Sequence, residues 1–224
     1  MIKLVNVGKK IWDGHYLKTV LEGVTIEIEN GSFISIVGES GCGKTTLLSI
    51  IGLIDSVSCG QILFDEVNIA EKTEREMADF RGLNIGYLPQ NNYLIPFMNV
   101  WDNVASVLAL YGYTRKEANC ITEMVLEKVG IEKNIFYHMP NKLSGGEKQR
   151  VAIARMLALK PKYVLADEPT GNLDKNNAVK IFEKFREINA DGTTIIVVTH
   201  DMELAKKTDK IYKLEQRKLS VFDN

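Results

Sequence analysis

The chain has 224 residues, a formal net charge of −1 and three scattered cysteines, Cys42, Cys59 and Cys120. That length buries a core without staples, and the near-neutral balance excludes bulk nucleic-acid binding. The cysteine spacing fits neither a metal knuckle nor a disulfide framework, so a reducing cytoplasm is expected, and no apolar run reaches the roughly 18 residues of a membrane span. The N-terminus starts with strand-like Ile2-Lys3-Leu4-Val5 rather than a signal peptide, so any membrane role needs a partner.

In chain order, residues 2–7 and 24–28 alternate apolar and polar as half-buried strands do. Asn30-Gly31 accepts positive φ and predicts a hairpin between 24–28 and the buried strand that ends in Phe33-Ile34-Ser35-Ile36-Val37. A helix follows from Thr46, and Gln61-Ile62-Leu63-Phe64 reads as another strand of this antiparallel part. Thr73-x-x-Glu76 opens a helix that ends near Gly82, and residues 84–88 return to strand. From 91 to 160 the pattern is helical: one helix near 100–111, a second capped by Thr114 and stopped at Gly130, a third after Ser144. Tyr163-Val164-Leu165-Ala166-Asp167 and Thr194-Ile195-Ile196-Val197-Val198 are continuous apolar strands, with helices capped by Asp174 and Asp201 after them. Such strands alternating with helices imply a parallel sheet covered on both faces.

Three stretches carry chemistry. Gly38-Glu39-Ser40-Gly41-Cys42-Gly43-Lys44-Thr45 fits the phosphate-binding pattern G-x-x-x-x-G-K-[ST] between a strand and a helix. Its backbone N–H groups and the helix N-terminus cradle phosphates, Lys44 reaches the β- and γ-phosphates, and the Thr45 hydroxyl can hold Mg²⁺. At the end of the 163–167 strand, Asp167 and Glu168 are either two ordinary carboxylates or an Mg²⁺-shell acid followed by a general base. Ser144-x-x-Glu147 is a capping box. Yet it encloses Gly145 and Gly146, each costing up to about 1 kcal/mol in a helix relative to alanine, which makes sense where a phosphate must approach the backbone.

Over essentially its whole length, Ile2 to about Phe222, the sequence resembles the ATP-binding subunits of ABC transporters. Six motifs stand in that family's order: the phosphate loop 38–45, Gln90, Leu143-Ser144-Gly145-Gly146-Glu147, Asp167-Glu168, Gly171-Asn172-Leu173-Asp174, and His200. The resemblance implies a phosphate-loop NTPase core of α/β class, mainly a parallel sheet with an antiparallel β subdomain (1–90 and 161–224), plus a helical subdomain carrying the signature (91–160). It implies that Thr45, Gln90 and Asp167 serve Mg²⁺, that Thr46 supports the α-phosphate, that Glu168 is the general base and that His200 contacts the γ-phosphate. It further implies that Ser144, Gly145 and Gly146 act on ATP held by the phosphate loop of a second copy, with Asp174 at the same seam. The family usually stacks an aromatic residue on adenine near the end of the first strand; this chain has Ile11 there, with Trp12 and Tyr16 nearby.

The apolar segment 92–104 after Gln90 lies where the family receives its membrane permease, and Leu94-Ile95-Pro96 and the 166–174 string look like the macrolide-exporter and lipoprotein-releasing subgroup. The expected role is an ATP hydrolase, peripheral on the inner membrane face through the permease, that exports or confers resistance to a peptide or amphipathic compound. A cell-division-type ATPase that moves no solute shares the same motor residues. A soluble repair or translation ATPase is disfavoured, because the chain has neither a long coiled-coil insertion nor a second cassette.

Overall fold

The structure is a computed structural model that describes residues 1–91, 94–171 and 173–222, with Ala70 described by its backbone alone. The strands are β1 Ile2–Trp12, β2 Leu17–Ile28, β3 Phe33–Val37, β4 Cys59–Phe64, β5 Val67–Asn68, β6 Ile85–Leu88, β7 Tyr163–Asp167, β8 Thr194–Val198, β9 Lys210–Glu215 and β10 Lys218–Val221. The helices are α1 Lys44–Ile51, α2 Glu74–Asn84, α3 Val100–Leu110, α4 Arg115–Lys128, α5 Gly145–Leu157, α6 Lys175–Ala190 and α7 Met202–Ala205.

Two sheets form. One is antiparallel, in the order β2-β1-β4-β5; the other runs β10-β9-β3-β8-β7-β6 and is parallel except where β10 meets β9. The strands of the second sheet explain their own placement. β3, β7 and β8 are buried at every position, so each needs cover on both faces. Ile196 and Val198 of β8 face a cluster made with α1 (Leu47, Leu48, Ile51) and the antiparallel sheet (Ile2, Leu4, Phe64). Ile195 and Val197 face the opposite way, into a cluster built by α3, α4, α5 and α6.

The hairpin expected at Asn30-Gly31 does not form. Gly31 has φ 76° and Ser32 N–H donates to Glu29 O, so the turn is real. However, β2 pairs with β1 and β3 pairs with β8 and β9, in the other sheet. Five consecutive buried positions outweigh the local turn signal, because only the two-sided sheet can bury them all. The hairpin is instead β1 to β2, closed by Asp13, whose carboxylate accepts from the His15 and Tyr16 N–H groups. Register shifts at Leu4/Val7, Val7/Lys9 and Lys9/Lys10 interrupt the alternation of β1, so periodicity showed the strand only to residue 7.

Helix α2 also runs past Gly82 to Asn84. Gly82 is no helix stop: a Cβ there would lie 1.6 Å from the Tyr111 hydroxyl oxygen. The position is small because α3's end packs on it.

Candidate nucleotide-binding site

The sheet register gathers the site along one edge. Ile36 of β3 lies beside Val198 of β8, Asp167 of β7 beside the same Val198, and Leu88 of β6 beside Ala166. Gly38, His200, Glu168 and Gln90 therefore leave neighbouring strands at their carboxyl ends, where open α/β sheets bind ligands.

The phosphate loop is held by close backbone approach. A Cβ on Gly38 would come within 2.5 Å of Leu214 O in β9, and Gly43 has φ 110° with Val20 Cγ1 3.0 Å from its Cβ position. Gly43 is also the N-cap of α1 and supplies no side-chain bond. By contrast Thr73, Asn99, Thr114, Ser144 and Asp174 each cap a helix through their side chains. The α1 N-terminus thus leaves its N–H groups to a ligand, and the helix dipole favours an anion there. Lys44 is buried, and its Nζ donates to Gly38 O and Glu39 O at 2.8 Å each. The ammonium is held over the loop with one proton to spare.

Asp167 is 3% exposed and its Oδ1 has no hydrogen-bond partner. The Thr45 hydroxyl bonds the carboxylate and Lys44 adds a favourable charge, but burial dominates and pushes the Asp167 carboxyl above its ordinary range. A buried carboxylate oxygen left over beside a threonine hydroxyl suits Mg²⁺, a hard cation that takes oxygen ligands. Among the described residues no cluster of three His, Cys, Asp or Glu residues forms a metal cage, so phosphate and water oxygens would complete the shell.

Glu168 has φ 46°, strained for a residue other than glycine. The strain is held by its N–H donating to Val198 O at 2.9 Å and its carbonyl accepting from Gly171 at 3.1 Å. Its carboxylate Oε2 lies 2.8 Å from His200 Nδ1; the glutamate side chain is 12% exposed and the histidine 70%. Of the candidate catalytic side chains Glu168, His200, Lys44 and Gln90, the first two therefore meet. Gln90 is exposed, two residues beyond β6, and among the described residues no hydrogen bond ties it to Thr45 or Asp167.

Ser144 and Glu147 complete their capping box at the start of α5: Ser144 N–H and Oγ each donate to Glu147 Oε2 at 2.7 Å. These bonds, the Ser144 hydroxyl first, hold the Glu147 carboxyl below its usual value. Asp174 caps α6 through Asn176 N–H and Asn177 N–H, while Asn172 of the same motif lies outside the described residues.

A cleft of about 420 Å³ opens over the phosphate loop and is lined by Gly41 to Thr46, Ile11, Lys18, Thr19, Val20, Gln216 and Arg217. Of the three residues considered for adenine, Ile11 lines it, whereas Trp12 and Tyr16 stand outside the lining, exposed. Sequence reasoning missed Lys18 to Val20 and Gln216-Arg217. The former need the β1–β2 hairpin. The latter sit at the tight β9–β10 turn, whose signal was the polar Glu215-Gln216-Arg217-Lys218 run between two apolar-containing stretches.

Cys42 is half-buried in the cleft wall. Alkylation should abolish ATP hydrolysis, with ATP protecting, because the added group fills the phosphate loop. Mass spectrometry paired with activity checks this; full activity after stoichiometric Cys42 modification would contradict the placement.

A phosphate loop on a parallel sheet, a buried aspartate beside its threonine and a glutamate at the next position together define a phosphate-loop nucleotide hydrolase. The ABC transporter family model matches residues 21–171. The lipoprotein-releasing system ATP-binding protein LolD of Pseudoalteromonas translucida is 43% identical, over 99% of this chain and 95% of its own. The macrolide export ATP-binding/permease protein MacB of Rhodopirellula baltica is 40% identical over 96% of this chain, which spans 32% of that protein. The ATP-binding cassette MJ0796, solved as a dimer in a post-hydrolysis state bound to ADP and Pi, superposes with a TM-score of 0.91 at 34% identity, covering all of both chains. The chain belongs to the ABC transporter family: it is an ATP-binding, ATP-hydrolysing subunit.

Proposed function

We propose that two copies clamp two ATP molecules between them and drive a membrane permease, exporting or conferring resistance to a peptide or amphipathic compound. The observation that carries this reading is the start of α5. Gly146 is in regular helix, and a Cβ there would meet only the side chains of Asn177 and Arg150, at an ordinary 3.4 Å and 3.5 Å. Neither backbone conformation nor crowding within the chain asks for glycine. A phosphate approaching Ser144, Gly145 and Gly146 from a second copy does. The dimeric cassette MJ0796 supports the same assembly.

Within each site Lys44 and the loop N–H groups bind the β- and γ-phosphates, and Thr46 supports the α-phosphate. Thr45 and Asp167, with Gln90, would hold Mg²⁺. Bound there, the ion neutralises charge on the phosphate oxygens. Glu168 takes the proton of the attacking water, and His200, already against Glu168, senses the γ-phosphate. Loss of that phosphate removes contacts bridging the copies and releases the clamp. The helical part, 91–160, is the subdomain that carries the signature.

The permease would dock on that subdomain. Asn103 is fully buried and ties down Ile95, Met98 and Asn99, which leaves Phe97 78% exposed; Tyr137, 71% exposed, stacks on Trp101 nearby. Asn92 and Tyr93 of the same segment lie outside the described residues. Among the described residues no helix is long and apolar enough to cross a membrane, so the chain would attach to the inner face through its partner. The names of the lipoprotein-releasing and macrolide-export relatives support an amphipathic cargo. The test is a membrane pull-down with tagged Glu168→Gln held in ATP and Mg²⁺. Capture of a polytopic subunit with a large external domain is expected; a division or cell-wall protein without a permease would move the chain to the mechanical class.

A further inference from the structure

Among the described residues, three cations, Lys18, Lys44 and Arg217, line the cleft, and neither a carboxylate nor an aromatic ring does. A nucleotide entering it brings a polyphosphate and a flat base, so its base needs a planar partner other than an aromatic ring. We propose that Arg217 is a nucleobase-positioning residue, its guanidinium stacking on the purine while Lys44 holds the phosphates. This rests on the nucleotide reading of the cleft and adds the residue that holds the base.

Three observations converge on Arg217. Among the described lining residues the guanidinium is the only planar cation; it is weakly hydrated and stacks on aromatic faces, which an ammonium does not do as well. Second, Gln216 and Arg217 sit at φ 48° and 70° in the two-residue turn between β9 and β10. Turns with both residues left-handed favour Asn-Gly, and long side chains there are strained. The same left-handed pair recurs at Asp65-Glu66, and what sets Gln216-Arg217 apart is that its side chains line the cleft. Third, the turn is rigidly placed. Arg217 O accepts from Glu22 N–H at 2.9 Å, and β9 pairs with β3, whose end becomes the phosphate loop. Leu214 O presses on Gly38. The spacing between the phosphate cradle and Arg217 is thus fixed by strand pairing rather than by a free loop.

The experiment is calorimetric titration of the full chain with ADP and with inorganic pyrophosphate, which carries the charge without the base. Arg217→Ala should weaken ADP about 10-fold and leave pyrophosphate within about twofold. Arg217→Lys keeps the charge and loses the plane, so it should weaken ADP nearly as much. Unchanged ADP affinity in Arg217→Ala, an equal loss for both ligands, or full ADP affinity in Arg217→Lys would each overturn the proposal. Lys44→Ala separates the parent reading: it should weaken both ligands. If it weakens neither, the cleft is not the nucleotide site and both readings fall.

Discussion

Replacing Glu168 by glutamine is expected to lower ATP turnover by about 10²–10⁴-fold, the contribution of a positioned general base, while ATP still binds. The amide keeps the size and the hydrogen-bonding reach of the carboxylate, so its contact with His200, 2.8 Å in the native chain, survives in one tautomer. The strained backbone at φ 46° is anchored by Val198 and Gly171, not by the side chain, so the fold should hold. With hydrolysis stopped, ATP remains between two copies, and the variant should run as a dimer in ATP and Mg²⁺ and as a monomer in ADP. Single-turnover kinetics and light scattering measure the two effects. Wild-type turnover in this variant would remove Glu168 as the base.

Asp167→Asn should move stability and activity in opposite directions. Asp167 is buried with Oδ1 unpaired, and burial raises its carboxyl above the ordinary value. A raised carboxyl means that the folded chain holds the proton more tightly than the unfolded chain. Its ionisation therefore costs stability as pH rises past the unfolded value near about 3.9, and the cost is complete above the folded pKa. At pH 7 the amide removes that charge and leaves a neutral group in its place. The variant should therefore melt higher at pH 7, each kcal/mol gained being worth roughly 2–4 °C in Tm for a chain of this size, and the gain should shrink toward pH 4. The same change takes away the anionic oxygen that would hold Mg²⁺ beside Thr45, worth several kcal/mol of transition-state stabilisation. Hydrolysis should then fall by at least about 100-fold. Scanning calorimetry in EDTA and a Mg²⁺-dependent assay test the pair. A lower Tm in the variant would show that the native carboxylate is better satisfied than its burial implies.

The sequence by itself determined which residues are candidates for the site. Gly38 to Thr45, Asp167-Glu168 and Ser144 to Glu147 are local patterns whose meaning lies in residue type and short spacing, which the chain carries without being folded. The capping boxes at Thr73, Thr114 and Ser144 were legible for the same reason, since each closes within four residues. Only the tertiary structure decided which strands are neighbours. Asn30-Gly31 makes its turn, but pairing followed from where Phe33–Val37 could bury both faces. Strand order then set which loops meet, bringing His200 against Glu168 across 32 residues of chain. It also carried Arg217 to a phosphate loop more than 170 positions earlier. Burial and pairing are sums over the whole chain, and no window of sequence contains them.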